Sequence, residues 1–343
     1  MRSVSDLDMG GCQCHVQFSS FKLNCRCGHR GYERLDWVRE YSHCTRRFEA
    51  RVARLCDYMS IKEVSTIIGL GWRTVKTIDK TSIRGQLKDI RECNPIFIGV
   101  DEIAYEKGHK YLTVVRDVGK GIVIWVGLGR KELTMDVFFA ALGSEKTKKI
   151  KAVVMDMWDP YISSVRKWTD ADIVFDKFHI AKKVNECLDT IRKKEFRGAD
   201  KEVKKDFKDK RFLILSREDN VPDDKKETLD MLLKQNQTLF KAYLLKEQLL
   251  DIFDTINLDF AMDRLKRWKD NVTESTIQEF QPLVKMLDSH LYGIKAYFKH
   301  RITNAGSEGF NNKIGLIKRR AYGFQDIEYF MLKILKICGG PSS

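Results

Sequence analysis

The residues best placed to do chemistry are two aspartates that each follow a short apolar run. Asp101 comes directly after Phe97 to Val100, and Asp156 comes directly after Val153 to Met155. If both runs are neighbouring strands of one sheet, the carboxylates lie together and repel each other unless a cation neutralises them. Hard oxygen ligands of this kind suit Mg²⁺. The pair therefore predicts a metal site, although a turn-forming or helix-capping role explains either acid alone.

Two further acids and a histidine are candidates for the same site. Asp176 and His179 lie three residues apart after another apolar run, where either could orient a ligand or contact phosphate. A helix cap followed by a partly buried histidine is the other interpretation of this pair. Glu308 lies in a polar, glycine-flanked segment that predicts the start of a helix. An acid at that place could complete a metal site.

Changes of periodicity define the elements that must position these residues. Alternating or continuous apolar runs predict five strands, at 97–100, 111–115, 122–126, 152–155 and 172–175. Helical spacing predicts helices at 135–142 and from Asp159-Pro160 onward. The resulting order βββαβαβ is that of the ribonuclease H fold, an α/β architecture in which helices cover a mixed five-stranded sheet.

The chain on either side of this predicted sheet has a different character. Residues 1–44 are rich in cysteine and are predicted to be irregular. Residues 180–303 show no strand pattern, only long helical stretches such as 229–253 and 260–268, which indicates an all-helical block. The segment 308–335 is helical again and is basic. Its charged side chains include Lys313, Lys318, Arg319 and Arg320.

A helix-turn-helix is predicted between the irregular segment and the sheet. Ser60 can cap a helix whose inward residues are Ile61, Val64 and Ile67, and Gly69-Leu70-Gly71 ends it. A second helix runs from 72 to 80 with Val75 and Ile78 inward. Its exposed face would offer two cations to a DNA groove, as the second helix of such motifs does. These cations are Arg73 and Lys76.

Composition limits the classes of protein to consider. The 343 residues include 62 basic and 48 acidic side chains, and the formal net charge of +14 favours a polyanionic partner. No apolar run approaches the roughly 18 to 20 residues of a membrane-spanning helix, and the first residues do not form a secretion signal. The nine cysteines are an odd number, which favours reduced thiols in the cytoplasm.

Several motifs together resemble one family over most of the chain. They are Gly99-Val100-Asp101-Glu102, Met155-Asp156-Met157-Trp158, Val174-Phe175-Asp176-Lys177-Phe178-His179, Glu308-Gly309 with Asn311-Asn312-Lys313, and Lys318-Arg319-Arg320-Ala321-Tyr322-Gly323-Phe324. In this combination the chain resembles the DDE transposases of bacterial insertion sequences, specifically the ISL-three family.

The resemblance implies a catalytic triad and its cofactor. Asp101, Asp156 and Glu308 match the three acids, which hold two Mg²⁺ or Mn²⁺ ions in a phosphoryl-transfer site. Asp176 and His179 match an accessory acid-x-x-His motif. Because Asp156 and Glu308 are so far apart in the chain, the helical block between them is expected to be an insertion domain.

The resemblance also implies the substrate and the partners. The expected substrates are double-stranded terminal inverted repeats and target DNA, with strand cleavage followed by strand transfer. A homodimer or larger synaptic complex is expected because two element ends must be held together. The place of action would be the bacterial cytoplasm, at the nucleoid. Lys313, Lys318, Arg319 and Arg320 join Arg73 and Lys76 as candidate DNA contacts.

The early cysteines match the family only in part. Cys25-Arg26-Cys27-Gly28-His29 is similar to the second half of the family's zinc finger, whereas the preceding chain offers only Cys12-Gln13-Cys14 in place of the first half. A structural zinc site needs four nitrogen or sulfur ligands. Four can be drawn from Cys12, Cys14, Cys25, Cys27 and His29, although the one-residue spacings are atypical. We expect a partial zinc-finger-like segment with Zn²⁺ as its candidate ligand.

These expectations give five domains and leave two alternative functions open. The domains are a zinc-finger-like segment at 1–45, a helix-turn-helix domain at 46–92, the first part of the catalytic core at 93–195, a helical insertion at 196–300 and the final part of the core at 301–343. One alternative is a shortened, catalytically impaired copy of the element's protein that acts as a DNA-binding repressor. The other is a ribonuclease H-like nuclease, which the acids explain equally well.

Overall fold

A computed structural model describes residues 1–28, 30–106, 108–200, 207–321 and 323–340. The chain divides into two compact units. The first contains Met1–Asp89 together with Phe310–Ser343, and the second contains Ile90–Gly309. Each unit has its own buried core and is described separately.

The first unit begins with two antiparallel hairpins. Gly10 and Gly11 adopt positive φ angles of 58° and 82° and form the turn of the first hairpin. Val4 and Asp6 are buried while their neighbours are more exposed, as the alternation of a strand requires. The prediction of irregular structure over 1–44 is therefore wrong, because polar residues fill the exposed positions and hide the pattern. The strands are β1 (Arg2–Met9), β2 (Cys12–Phe18), β3 (Lys22–Asn24) and β4 (Arg30–Tyr32).

Three helices follow, and the second and third form the predicted helix-turn-helix. Ser60 and Glu63 cap each other's backbone N–H groups at the start of the second helix, and Gly69 ends it with a φ of 75°. Val75 and Ile78 are buried as predicted. Ile67 is 59% exposed, so its predicted inward position is wrong. The helices are α1 (Arg46–Tyr58), α2 (Ile61–Ile68) and α3 (Trp72–Gln86).

The second unit is built around a mixed five-stranded sheet, as predicted. The strand order is β7-β6-β5-β8-β9, in which β5, β6 and β7 are antiparallel and β8 and β9 run parallel to β5. The first three strands are longer than their apolar runs, because backbone pairing continues through polar residues. The strands are β5 (Phe97–Glu106), β6 (Lys110–Asp117), β7 (Ile122–Leu128), β8 (Ala152–Met155) and β9 (Asp172–Phe175).

Helices cover both faces of this sheet. Val153 and Met155 of β8 face one core, whereas Ala152 and Val154 face the other. The first core is completed by α4 (Glu132–Leu142) and α6 (Asp159–Trp168), which flank the short α5 (Ser144–Thr147). The opposite core belongs to the helices that follow β9. Burial on both faces explains why β8 and β9 are continuous apolar runs.

The described residues from 177 to 300 contain helices and no strand. Trp268 is buried in their core, and its Nε1 donates to the carbonyl of Leu245 at 2.7 Å. Asn236 caps a new helix, so the predicted stretch 229–253 forms two helices. Gly293 allows close packing on β9, since a Cβ there would lie 2.2 Å from the ring of Phe175. The helices are α7 (Lys177–Gly198), α8 (Arg211–Leu215), α9 (Asp223–Lys234), α10 (Gln237–Asp254), α11 (Leu258–Ser275), α12 (Gln281–Ser289) and α13 (Leu291–His300).

The last two helices are α14 (Gly306–Arg320) and α15 (Ile327–Cys338). In the first unit α15 packs against α3, and Lys333 Nζ lies 2.6 Å from the carboxylate of Asp79. Both residues are buried, and the hydroxyl of Tyr329 also donates to Asp79. These contacts group residues 310–343 with 1–89, whereas the sequence analysis assigns 301–343 to the catalytic core.

A search of the described helices for membrane spans finds none with the length and apolar character to cross a bilayer. This finding agrees with the absence of long apolar runs in the sequence.

The buried ion pair between α3 and α15 predicts a specific stability effect. Lys333→Met should lower the free energy of unfolding by about 3–5 kcal/mol, because it leaves the Asp79 carboxylate buried without its cation. Adding Asp79→Asn to that variant should restore most of the loss. Denaturant unfolding of the full chain measures both.

Lys336→Met is the matched control on the same helix. Lys336 pairs with Asp57 at a partly exposed position, so its loss should cost less than about 1 kcal/mol. Equal losses for the two lysine variants would contradict the proposed importance of the buried pair.

Candidate active site

Three aspartates occupy one row across neighbouring strands of the mixed sheet. Gly99 of β5 is paired with Val154 of β8, and Val154 with Val174 of β9. Continued for two residues, past the ends of β8 and β9, the same register brings Asp101, Asp156 and Asp176 into line. The first two acids of the sequence analysis are thus brought together at one edge of the sheet, and Asp176 is placed beside them.

Asp101 reaches this row differently from the prediction. The sequence analysis places it just after a strand, but β5 continues to Glu106 and Asp101 is paired with Val114 of β6. The prediction of the strand end is therefore wrong, because pairing with β6 extends β5. Asp156 and Asp176 do follow the ends of β8 and β9. Asp101 is consequently held on a continuous strand, with its Oδ1 accepting from the N–H of Glu102 at 2.8 Å.

The electrostatics of the row favour a bound cation. Burial raises the pKa of Asp156, the nearby Asp101 carboxylate adds to the rise, and His179 opposes it. Burial also raises the pKa of Asp176, against the hydrogen bond from the N–H of Phe178 and the influence of His179. Burial is the main cause of both rises and the Asp101 carboxylate adds to each, so a negative charge at either position carries a cost in free energy.

His179 lies on the first turn of α7, and Asp176 caps that helix. Asp176 accepts from the N–H of Phe178 at 3.2 Å, and the N–H of His179 donates to the main-chain oxygen of Asp176 at 3.0 Å. The capping interpretation of this pair is therefore confirmed, since Asp176 is a buried helix cap and His179 is half-buried. Both residues also influence the row electrostatically, so the cap does not exclude a role at the site.

Arg116 and Asn304 are site residues that the sequence analysis missed. Both are buried, and Arg116 Nη2 donates to Oδ1 of Asn304. Asn304 Nδ2 donates to the carbonyl of Val100 at 3.2 Å, so the side chain bridges β5 and β6. Burial lowers the pKa of Arg116, while Asp101 and Asp176 act in the opposite direction. A positive charge is thus buried behind the row of carboxylates.

Gly99 makes room for this bridge. A Cβ at Gly99 would lie 2.6 Å from Oδ1 of Asn304 and 3.2 Å from Nη2 of Arg116. The glycine within an apolar strand was the available signal for such a close approach. Asn304 stands two residues before α14, so the bridge fixes the start of that helix against β5.

Glu308, the third predicted acid, lies in the first turn of α14. Its side chain is outside the described part of the structure, so its place at the site stays a prediction. Among the described side chains, no three His, Cys, Asp or Glu residues are grouped as a metal site requires.

The zinc prediction also stays a prediction. Cys12 and Cys14 lie on β2, whereas Cys25 and Cys27 lie between β3 and β4. His29 is outside the described residues. Cys12, Cys25 and Cys27 are exposed, and Cys14 is half-buried.

The candidate DNA contacts differ in how they are engaged within the first unit. Arg73 is exposed near the start of α3, whereas Lys76 Nζ pairs with the Asp326 carboxylate at 3.1 Å. Arg320 donates to the carbonyl of Asp57 at 3.0 Å. Lys313 and Arg319 are exposed on α14, and Lys318 is half-buried there. Arg73 is therefore the more available of the two cations on α3.

Comparisons with known proteins give two family matches that together cover most of the chain. Residues 98–334 match the ISL3 family of DDE transposases, described as "Transposase". Residues 33–82 match the helix-turn-helix domain of transposase family ISL3. The second match covers the helices α1 and α2 and most of α3.

Two curated relatives are similar along nearly the whole chain. The transposase for insertion sequence element IS1001 from Bordetella parapertussis is 33% identical over 339 residues, which are 97% of this chain and 84% of the relative. The transposase for insertion sequence element IS1557 from Mycobacterium tuberculosis is 27% identical over 366 residues, covering 99% of this chain and 82% of the relative.

The Gly99–Asn304 approach yields a prediction about packing at the site. Gly99→Ala should lower the free energy of unfolding by about 1–3 kcal/mol, because the new methyl group overlaps the buried amide. Asn304→Ala removes the overlapped atom and its hydrogen bonds. The double variant should therefore lose clearly less than the sum of the two single losses. Denaturant unfolding of the four proteins measures this coupling.

Gly198→Ala is the control, because a Cβ at that glycine meets no atom within 4 Å. Its stability should stay within about 0.5 kcal/mol of the parent, as for most surface substitutions. Additive losses at positions 99 and 304 would show that the two residues do not act together.

Proposed function

From the premise that this chain belongs to the ISL3 family of insertion-sequence transposases, we propose that Asp101, Asp156 and Glu308 form its catalytic triad. The observation that carries the proposal is the proximity of Asp101, on β5, to Asp156, which directly follows the neighbouring strand β8 and whose pKa the Asp101 carboxylate helps to raise. The chain is a DNA-binding transposase, and these acids are the groups that would act on the DNA strand.

The donor set suits two Mg²⁺ or Mn²⁺ ions. Burial and the nearby Asp101 carboxylate raise the pKa of Asp156, so this acid gains from a bound cation, and hard divalent ions prefer oxygen ligands. When bound, the ions would activate the attacking water or DNA 3′-hydroxyl and stabilise the leaving oxygen in an in-line displacement at phosphorus. Glu308 would supply the third carboxylate from the first turn of α14.

The remaining residues of the site position these acids. Pairing with β6 holds Asp101 in a fixed backbone conformation, and the Arg116–Asn304 bridge fixes the chain just before Glu308. His179 lies close enough to oppose the burial-driven rise in the pKa values of both Asp156 and Asp176. We assign Asp176 and His179 the accessory role of orienting the row and balancing its charge.

The proposed substrates are the element's terminal inverted repeats and the target DNA. The helix-turn-helix would bind the repeats, and the same carboxylate site would serve cleavage and strand transfer. The formal charge of +14 supports tight, salt-dependent association with duplex DNA. A homodimer or larger synaptic complex acting at the nucleoid is part of the proposal, because two ends must be joined to one target.

Two structural assignments complete the proposal. The helices from α8 to α13 would be an insertion within a ribonuclease H-like core, since they separate β9 from the helix that carries Glu308. Four ligands drawn from Cys12, Cys14, Cys25, Cys27 and His29 would hold one Zn²⁺ ion in the first unit. A repressor without catalysis, or a nuclease of another pathway, is not favoured by a transposase match that spans residues 98–334.

The triad is tested by isosteric substitutions. Asp101→Asn, Asp156→Asn and Glu308→Gln should each abolish cleavage at the element's ends in Mg²⁺ or Mn²⁺, because each removes a charged ligand. Binding of end DNA should remain close to that of the parent. A plasmid carrying the element's own ends, assayed for nicking, and a gel-shift assay on the same ends give the two readouts.

Asp170→Asn is the control for loss of one exposed negative charge in the same unit, and it should cleave normally. Wild-type activity in any of the three isosteric variants would remove that acid from the triad. End binding without cleavage by the unmodified chain would instead support the repressor.

The helix-turn-helix is tested by comparing two cations on α3. Arg73→Ala should weaken end binding several-fold and reduce the slope of log affinity against log salt by about one, as loss of a phosphate contact does. Lys76→Ala should have a smaller effect, because Asp326 already neutralises that lysine. Gel shifts over a salt series measure both slopes, and equal effects would contradict the distinction.

A further inference from the structure

A groove that the proposed chemistry does not use lies beside the row of carboxylates. Its volume is about 810 Å³, and residues from the end of β7, the start of α4 and the start of α6 line it. Trp158, in one wall, is two residues after Asp156. Arg130, in another, pairs with Glu102 at 3.0 Å, and its positive charge opposes the rise in the pKa of Asp156. The groove therefore adjoins the candidate active site, although none of the three aspartates lines it.

The wall of the groove contains a stacked arrangement of three side chains. The Arg130 guanidinium carbon lies 4.1 Å from the ring centre of Tyr111 and 4.6 Å from that of Trp158. Trp158 Nε1 donates to the main-chain oxygen of Arg130 at 2.9 Å. Ion pairing, ring contacts and this hydrogen bond together hold the stack in one conformation. A rigid stack of this kind is pre-organised for a planar ligand.

The stack retains unused binding capacity. Arg130 bonds Glu102 only through Nη1, so Nε and Nη2 have no hydrogen-bond partner in the described ranges of the chain. The side chain of Arg130 is partly exposed, and Lys131 beside it is exposed. Leu128 and Leu133 add apolar surface at the groove, with exposed fractions of 59% and 70%. The groove thus combines flat aromatic and guanidinium groups, exposed leucine side chains and positively charged hydrogen-bond donors.

We infer that this groove binds one unpaired nucleotide of the DNA strand next to the scissile phosphate. Its base would extend the Tyr111–Arg130–Trp158 stack, and its phosphate would meet Arg130 and Lys131. Aromatic and guanidinium planes are the usual partners of unpaired bases, and positive donors suit the adjoining backbone. The inference rests on the proposed function, because it requires the scissile phosphate to lie at Asp101 and Asp156.

The base must leave the duplex to reach such a stack. In a duplex, the bases expose only their edges. A groove lined by flat aromatic and guanidinium groups therefore recognises a base that has been rotated out of the duplex. Removing one base from the stack beside the cleavage point would also loosen the strand at the phosphate to be attacked. The groove would therefore select DNA that can be opened at the element's end.

Photocrosslinking tests where the base lies. Duplexes carrying the element's end, with 5-iodouracil at successive positions around the cleavage point, are bound in Ca²⁺ and irradiated, and the linked peptides are identified by mass spectrometry. A link to Tyr111 or Trp158 from one or two positions beside the cleavage point is expected. Links confined to other parts of the chain would overturn the inference.

Substitutions at the stack test its contribution to cleavage. Trp158→Ala should reduce cleavage of a fully paired end roughly 5- to 100-fold, the change that corresponds to one base–aromatic stacking contact. Trp158→Phe should retain most of the activity, because it keeps a ring and loses only the Nε1–H donor. A loss as large with phenylalanine as with alanine would assign Trp158 to the loop's structure and overturn the inference.

Substrate and protein controls separate this inference from the proposed function. Phe212→Ala removes another exposed ring that lies 5.6 Å from an arginine guanidinium, and it should cleave normally. An end with a mismatch beside the cleavage point should partly rescue Trp158→Ala, because part of the unpairing is already done. Normal cleavage by Trp158→Ala would overturn the groove and leave the triad standing, whereas failure of the triad would appear as full activity of Asp101→Asn.

Discussion

Mutual repulsion between carboxylates that are partly or fully withdrawn from water is the constraint on which the second unit depends. The register of β5, β8 and β9 sets Asp101, Asp156 and Asp176 in one row, and burial raises the pKa of Asp156 and of Asp176. A fold without a cation to bind would gain stability by separating these acids. Their persistence in one row therefore makes sense only with compensating charge, part of which the chain supplies and part of which a metal would supply.

Arg116 is one of the compensating charges that the chain itself supplies, and its hydrogen bonds connect the row to the segment before α14. It is buried behind the row on β6, where Asp101 and Asp176 offset the cost of burying its guanidinium. Its hydrogen bond to Asn304 holds the segment that leads into α14 next to this buried guanidinium. The charge of Arg116 offsets repulsion in the row. Its hydrogen bond to Asn304 limits where α14, the helix that contains Glu308, can begin. Gly99 is required because nothing larger fits beneath that contact.

The sequence was sufficient for the sheet but not for the bridge behind it. The strands β8 and β9 are predicted to the residue because burial on both faces leaves an uninterrupted apolar run. The two hairpins of the first unit were missed because polar residues occupy most of their exposed positions. Arg116 was missed because a charged residue in a strand is ordinarily exposed, and only tertiary contacts reveal that it is buried. The role of Asn304 could not be predicted from the sequence either, since its hydrogen-bond partners Arg116 and Val100 are distant in the chain.

Net charge is a poor guide to which basic residues meet DNA, and α3 shows why. Lys80 as well as Lys76 lies near the Asp326 carboxylate at the start of α15, and Arg84 pairs with Glu328. One side of the predicted reading helix is therefore occupied by acids of its own unit. Asp326 has a pKa near 2, since the hydrogen bonds from the Tyr329 N–H, Lys76 and Lys80 outweigh the effect of burial. The carboxylate consequently stays charged at any physiological pH. Arg73 is exposed on α3 and is the cation that we propose contacts a phosphate backbone, so the surroundings of each basic residue are more informative than the net charge of +14.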